Sequence, residues 1–500
     1  MPSQYDKMAH LLRRAGFGAR PDQINNYLNQ GFEATVDQLV NYEQIADPTV
    51  PLLPTTRDGG FDIKVLSADD IGTWWIERMI KTTHPLEERM VIFWHDHFAT
   101  SVTKINPPNG FKYLYWQNQV FRQYATGNFR DLCKAVNRDP AMLWWLDNIY
   151  NIKGSPNENY ARELMEIFML GLDAFFAGAY TEPDVQQAAR AFTGWGIRRG
   201  NDQPLSDTDL NGPLTDPTQA IEIPPTVPDN SRPSQRHDYG DKTVFGIVQN
   251  FNGDDIVNTI LDHEPQRSNA ARMLGKKVFE HFAYENPEAY VVDHLAAVLL
   301  RNNFSTKALL RDLFLNTKEF YSEKALYSVL KWPIHYVVMA IRLLQAQVST
   351  RDINGFGRRA SSAYSIAAMG QQLLNPPDVF GWPGREEWST TSQLLARANW
   401  ANSLTSNRSS VVGNNGIPID TVLATGNLGG NATAEQVVDY FTSLIVQAPL
   451  AANVRQGLVD YLRKADNGSI GNFVLDSATK DKKIRGLIHL LLARPETQSL

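Results

Sequence analysis

A chain of 500 residues, 43% apolar and 20% charged with a formal net charge of −6, can bury a large core without covalent staples. Its 23 Phe, 18 Tyr and 11 Trp exclude a disordered polymer, which is poor in aromatics and carries excess charge. Lys and Arg are scattered along the chain, and the adjacent arginine pairs are Arg13-Arg14, Arg198-Arg199 and Arg358-Arg359. No basic patch can displace phosphate counterions, so no nucleic-acid partner is expected.

Cys133 stands alone, which rules out an intrachain disulfide, and its FRDLCKAVN setting reads as helix packing. The start, MPSQYDKMAHLLRRAGFG, has no apolar h-region and no small-residue cleavage site. No run of 18 apolar residues could span a bilayer. The expectation is a cytoplasmic chain as given, extracytoplasmic only if a leader precedes it.

In chain order, apolar residues recur at helical spacing over 67–83, 85–98, 108–126, 128–138, 159–171 and 182–195. The pattern resumes over 253–262, 266–283, 286–301, 305–315, 333–347, 361–374, 389–406, 434–446, 449–464 and 480–494. Thr181 with Asp184 forms a capping-box pattern, and Pro183 and Pro333 suit first turns. KTVFGIV at 242–248, bounded by Gly240 and Asn250, is the one strand signal and predicts a hairpin arm. The fold class is therefore mainly α: a multi-helix body with long irregular loops and one small β-hairpin. Residues 1–198 and 253–406 read as two helical regions, separated by a loop and hairpin at 199–252 and followed by a loop and C-terminal helices at 407–500. Three stretches look irregular: 43–64, 199–240 with seven Pro, and 407–432. The middle one reads either as a lid across a site or as a surface excursion.

Four constellations could carry chemistry. In FWHDHFATS, His95 and His97 stand at i and i+2, about 200° apart on a helix, so they converge only if the helix breaks there. A helix from Pro85 to Trp94 that breaks at His-Asp-His is expected, with Asp96 orienting an imidazole at a metal. In SPNENYARELMEIFMLG, Asn159, Glu163 and Glu166 share a face at i, i+4, i+7, and Arg162 reaches Glu166. The competing reading of these two elements is capping histidines, and a Glu stripe or an ion pair to Arg162 or Arg190. In RHDYGDKTVFG, His237, Asp238 and Lys242 offer a base, an orienter and an electrostatic stabiliser. In NPPDVFGWPGREEW, Trp382 and Trp388 are expected to be buried and to clamp a loop. There is no HExxH, GxSxG, Walker loop, GxGxxG after a strand, or CxxC.

Taken together, HLLRRAGFGARP, FWHDHFATS, DPAMLWWLDN, PNENYARELMEIFMLG, YTEPDVQQAARAFTGW, HDYGDKTVFG, FYSEKALYSVLKWPIHYVVMAIRLL and PPDVFGWPGREEW resemble a bacterial family. It is known only as a domain of unknown function, number eighteen hundred. The resemblance runs from His10 to about Asn402 and more weakly to the end. It implies a mainly helical protein with no settled reaction. Many members begin with an export leader, and many carry histidine where this chain has Phe168. That departure leaves His95, His97, Glu163, Glu166 and His237 as the candidate ligands.

Three readings follow. The first is a hydrolytic or oxidative enzyme with a transition metal ion or metal cofactor held by His95, His97, Glu163 and Glu166. Asp96, Arg162, His237, Asp238 and Lys242 would be its catalytic side chains. The second is a non-catalytic scaffold for a partner protein or glycan. Its polar clusters would be structural ion pairs, and its surface the aromatic loops around Trp195, Trp382 and Trp388. The third, a metal-free hydrolase built on His237 and Asp238, lacks an obvious nucleophile.

Overall fold

A computed structural model describes residues 2–48, 56–57, 61–62, 67–105, 110–197, 220–222, 237–348, 365–406, 416–465 and 467–499. The protein is mainly α-helical, and its strands form only two-stranded antiparallel ribbons. Helix starts are written in the local chemistry. Ser3 with Asp6, Ser67 with Asp70, Thr181 with Asp184, and Asn252 with Asp255 close capping boxes that satisfy the first free N–H groups. Pro85 and Pro333 occupy first helical turns, where the missing N–H costs nothing.

One helix, Pro85–His97, organises the N-terminal half. It is buried along nearly its whole length, including Glu87, Glu88, Arg89, His95 and His97, so each polar group on it needs a partner. Glu88 is fully buried and accepts from Trp75 Nε1 (2.9 Å), Arg78 Nε (2.5 Å) and Arg122 Nε (2.8 Å). This ties together the helices Ala68–Lys81, Pro85–His97 and Gly110–Gln123. Burial alone would raise the Glu88 pKa, but Arg122 and Arg78 outweigh it and hold the carboxyl at about 2. The next residue, Arg89, reaches the carbonyl of Arg14 (3.3 Å) and Nδ1 of His335 (2.8 Å).

Behind this helix lies a hairpin of two helices, Gln266–Phe282 and Ala289–Arg301. Gly275 makes their approach close: a Cβ there would sit 3.2 Å from Leu295 Cβ. The apolar core is continuous from Met8 to Leu492. Both ends of the chain join it: Arg13 donates to Gln447 Oε1 (3.2 Å), and the buried Lys331 Nζ donates to the carbonyl of Thr497 (2.5 Å).

Several sequence expectations change. KTVFGIV is a whole hairpin, Lys242–Val244 paired with Ile247–Gln249, turning at Phe245 and Gly246 with φ 52° and 79°. This is the two-residue turn that strand twist favours. The N-terminal helices Gln4–Arg14, Pro21–Gln30 and Phe32–Val40 are additional to the expected set. Of the helix expected over 361–374, residues 361–364 lie outside the described residues, and the remainder holds only the 3₁₀ turn Ala367–Met369. Gly370 at φ 98° ends that turn. Most of the 199–240 lid candidate also lies outside the described residues. Among the described residues, no helix is long and apolar enough to cross a membrane.

Candidate functional site

The helix does not break at His-Asp-His; it runs through to His97, with Phe98 as its C-cap. The two histidines therefore leave on different sides, as a 200° separation requires. His95 enters an aromatic box, with ring centroids 5.6 Å from Trp75, 6.2 Å from Phe121 and 5.3 Å from Trp382. Burial pushes its pKa down to about 3, and Nε2 has no partner among the described residues.

His97 faces the segment Leu164–Met169, which is not the expected continuation of an α-helix. After one α turn at Asn159–Glu163 the chain widens into a π-helix, an irregularity often found at functional sites. Two of its carbonyls are met by side chains: His97 Nε2 lies 3.0 Å from Phe168 O, and Lys277 Nζ donates to Ile167 O at 3.0 Å. Lys277 Nζ also lies 3.2 Å from His97 Nδ1. These partners assign the tautomer: Nε2 carries the proton and Nδ1 accepts from the ammonium. Burial, and then the Lys277 charge, hold His97 neutral, well below its ordinary pKa.

Asp96 lies between the histidines in sequence and faces the Pro-rich loop. Its Oδ1 accepts from the Trp382 N–H at 2.8 Å, while Oδ2 accepts no hydrogen bond among the described residues. Gly381, at φ 91°, makes this possible, because a Cβ there would fall 2.3 Å from Oδ1. Trp382 and Trp388 are buried, as expected from the sequence, and clamp this loop onto the core. The side chains of Asp96 and Lys277 are both desolvated yet keep partial solvent access. Desolvation raises Asp96 to about 7, against the pull of the Trp382 N–H and the Lys277 charge. Desolvation also lowers Lys277 to about 8, against the Asp96 and Glu280 charges.

The other sequence candidates lie in separate arrangements. Arg162 pairs with Glu182, with Glu158 (2.9 Å) and more loosely with Glu166 (3.6 Å). Glu163 is half-buried, and burial together with the Glu166 charge raises its pKa. His237 Nδ1 lies 2.7 Å from Thr193 O, and Gly194 at φ 90° leaves no room for a Cβ beside it. Asp238 accepts from Arg190 Nε at 2.7 Å. Lys242 Nζ, buried, bridges Asp238 O (2.5 Å), Gly240 O (2.9 Å) and Asn250 Oδ1 (3.1 Å), so it ties the hairpin base together.

The expected metal set is not gathered. Among the described residues, no group of three or more His, Cys, Asp or Glu side chains is placed to hold a metal ion. The chemistry of the donors agrees, because both His97 nitrogens are committed, one to a carbonyl and one to an ammonium. Lys277, which the sequence did not single out, is the new member of the site.

The fold and the site thus define a mainly helical protein whose His-Asp-His element, with both histidines buried, packs against a π-helix. The chain belongs to the family described as Protein of unknown function (DUF1800), whose model matches residues 10–499. No curated protein and no solved structure matches it.

Proposed function

We propose that this chain is an enzyme of general acid–base type, hydrolytic in class, with Asp96 carrying the proton and Lys277 supplying positive charge. The observation behind this reading is one desolvated but solvent-reachable place that holds a carboxyl raised to about 7 and a lysine lowered to about 8. Such tuning toward neutrality is what proton transfer at neutral pH requires. As a carboxylate, Asp96 takes a proton from water while the water oxygen attacks the substrate's electrophilic carbon or phosphorus. The protonated Asp96 then returns that proton to the leaving group as its bond breaks. The Lys277 ammonium stabilises the negative charge that develops on the substrate oxygen. His97 is a positioning residue: its Nδ1 accepts from Lys277 and fixes where the ammonium lies.

A binding scaffold built on aromatic loops has less support, since Trp382 and Trp388 are buried. Trp195 has the Arg138 guanidinium 5.5 Å over its ring. The test is a screen of ester, amide, phosphoester and glycoside substrates, with Asp96→Asn and Lys277→Met alongside the wild type. The expected result is turnover that falls at least about 100-fold in each folded variant, with a pH profile governed by groups near 7 and 8. Turnover that survives both substitutions would overturn the reading. So would wild-type inactivity across the panel together with an Asp96 carboxyl titrating at its ordinary pH by carbon-13 NMR.

A further inference from the structure

A cleft of about 620 Å³ opens at the opposite end of the Pro85–His97 helix from Asp96, within the usual size of small-molecule sites. Pro85 lines it, and Asp96 lies eleven residues further along the same helix, roughly 16 Å at 1.5 Å per residue. Leu12, Leu39, Ile80 and Ile341 give the cleft apolar walls, and Gln23, Gln38 and Gln345 contribute polar groups. No Asp or Glu stands among the described lining residues, whereas Arg20, Lys81 and Arg342 do. Arg20 is paired with Asp22 (3.0 Å) and Lys81 with Glu77.

Arg342 differs from both. Its Nη1 donates to the carbonyls of Met79 (3.0 Å), Ile80 (2.9 Å) and Thr82 (3.0 Å), which fixes the guanidinium at the end of the Ala68–Lys81 helix. Its Nε and Nη2 meet no acceptor among the described residues. Desolvation lowers its pKa to about 10, with Tyr27 and Asp47 raising it and Arg20 lowering it further. Asp47, the one carboxylate among these, does not line the cleft. Its oxygens accept from Thr82 Oγ1 (2.5 Å), the Thr83 N–H (2.9 Å) and Thr83 Oγ1 (3.1 Å), and His84 Nδ1 lies 3.9 Å away.

The pair Nε and Nη2 is the edge of a guanidinium that matches the two oxygens of one carboxylate. A phosphate dianion would call for a second uncommitted cation, and Arg20 and Lys81 are already paired. We propose that this cleft binds a small carboxylic acid with an apolar tail, the carboxylate on Arg342 and the tail among Leu12, Leu39, Ile80 and Ile341. This site is independent of the Asp96 reading and stands or falls separately.

The test is calorimetric titration of the full chain with octanoate and with octanol, its uncharged counterpart. Octanoate is expected to bind at least about tenfold more tightly than octanol, the scale of one good charge-assisted contact. Arg342→Met should abolish that preference. Because Arg342 also caps a helix, Gln345→Glu provides the second variant, placing a carboxylate on the cleft wall without touching that cap. It should weaken octanoate about tenfold, leave octanol unchanged and leave the melting temperature within a degree or two. No octanoate binding at millimolar concentration would overturn the proposal, as would equal affinity for the two probes or indifference to Gln345→Glu.

Discussion

Replacing Asp96 with Asn should make the protein more stable, by an amount that grows with pH. The carboxyl has an ordinary pKa of 3.8 and sits at about 7 in the fold. The folded state therefore binds the proton more tightly than the unfolded state, and its advantage is lost as pH rises from about 4 through about 7. At about 1.4 kcal/mol per unit, the ionisable group costs the wild type about 2 kcal/mol near pH 5 and about 4 kcal/mol near pH 8.5. Solvent access at Oδ2 trims the upper figure, so a gain of about 2–4 kcal/mol at the alkaline end is the working range. Asn is the right perturbation because its Oδ1 still accepts from the Trp382 N–H. The assay is urea unfolding of both proteins near pH 5 and near pH 8.5, comparing midpoints at fixed slope. The gap should widen by about 2 kcal/mol between the two conditions. A variant that is less stable at both pH values, or a gap that does not move with pH, would refute the account of Asp96 as a strained, tuned acid.

Three other outcomes follow from the same geometry. Lys277 should react with amine-labelling reagents along a pH profile centred near 8, whereas exposed lysines follow one near 10.4; quantitative peptide mass spectrometry would read the difference. Glu88→Gln should cost about 3–5 kcal/mol, since it leaves Arg78 and Arg122 facing an uncharged partner in a buried site. In the wild type, the stability from Glu88 is present above its unfolded pKa and is lost as pH falls toward about 2, so acid unfolding monitored by circular dichroism should flatten in that variant. Gly381→Ala should lower stability by about 1–3 kcal/mol, because alanine at that positive φ is strained and its Cβ would meet Asp96; thermal melts would measure the loss.

Much of the helical framework was legible because apolar spacing and caps act locally. Gly253–Asp262 falls where the pattern placed it, and the helices at Pro85, Gln266 and Thr306 begin within a residue or two of expectation. The angular argument on His95 and His97 was sound in geometry, but the helix resolves it by sending the rings to different sides rather than by breaking. The π-helix at Leu164–Met169 was not legible. It depends on carbonyls being met by His97 and Lys277, and Lys277 is 180 residues from His97 along the chain. Lys277 itself sits in an ordinary amphipathic stretch, GKKVFEHF, where nothing local distinguishes it from Lys276. A lysine's tuning is set by what packs over it, and that is tertiary information.

The bond from Arg13 to Gln447 spans 434 residues, and Gln447 Nε2 returns to the carbonyl of Ala19 at 2.7 Å. During synthesis, the first helix leaves the ribosome on the order of tens of seconds before these partners exist, at roughly 5–20 residues per second. Met8, Leu11 and Leu12 on that helix end in the core, so for that interval an apolar face stands open in a nascent chain. Folding of this protein is thus a problem of timing: the first helix does not meet Gln447 until nearly nine-tenths of the chain has been made.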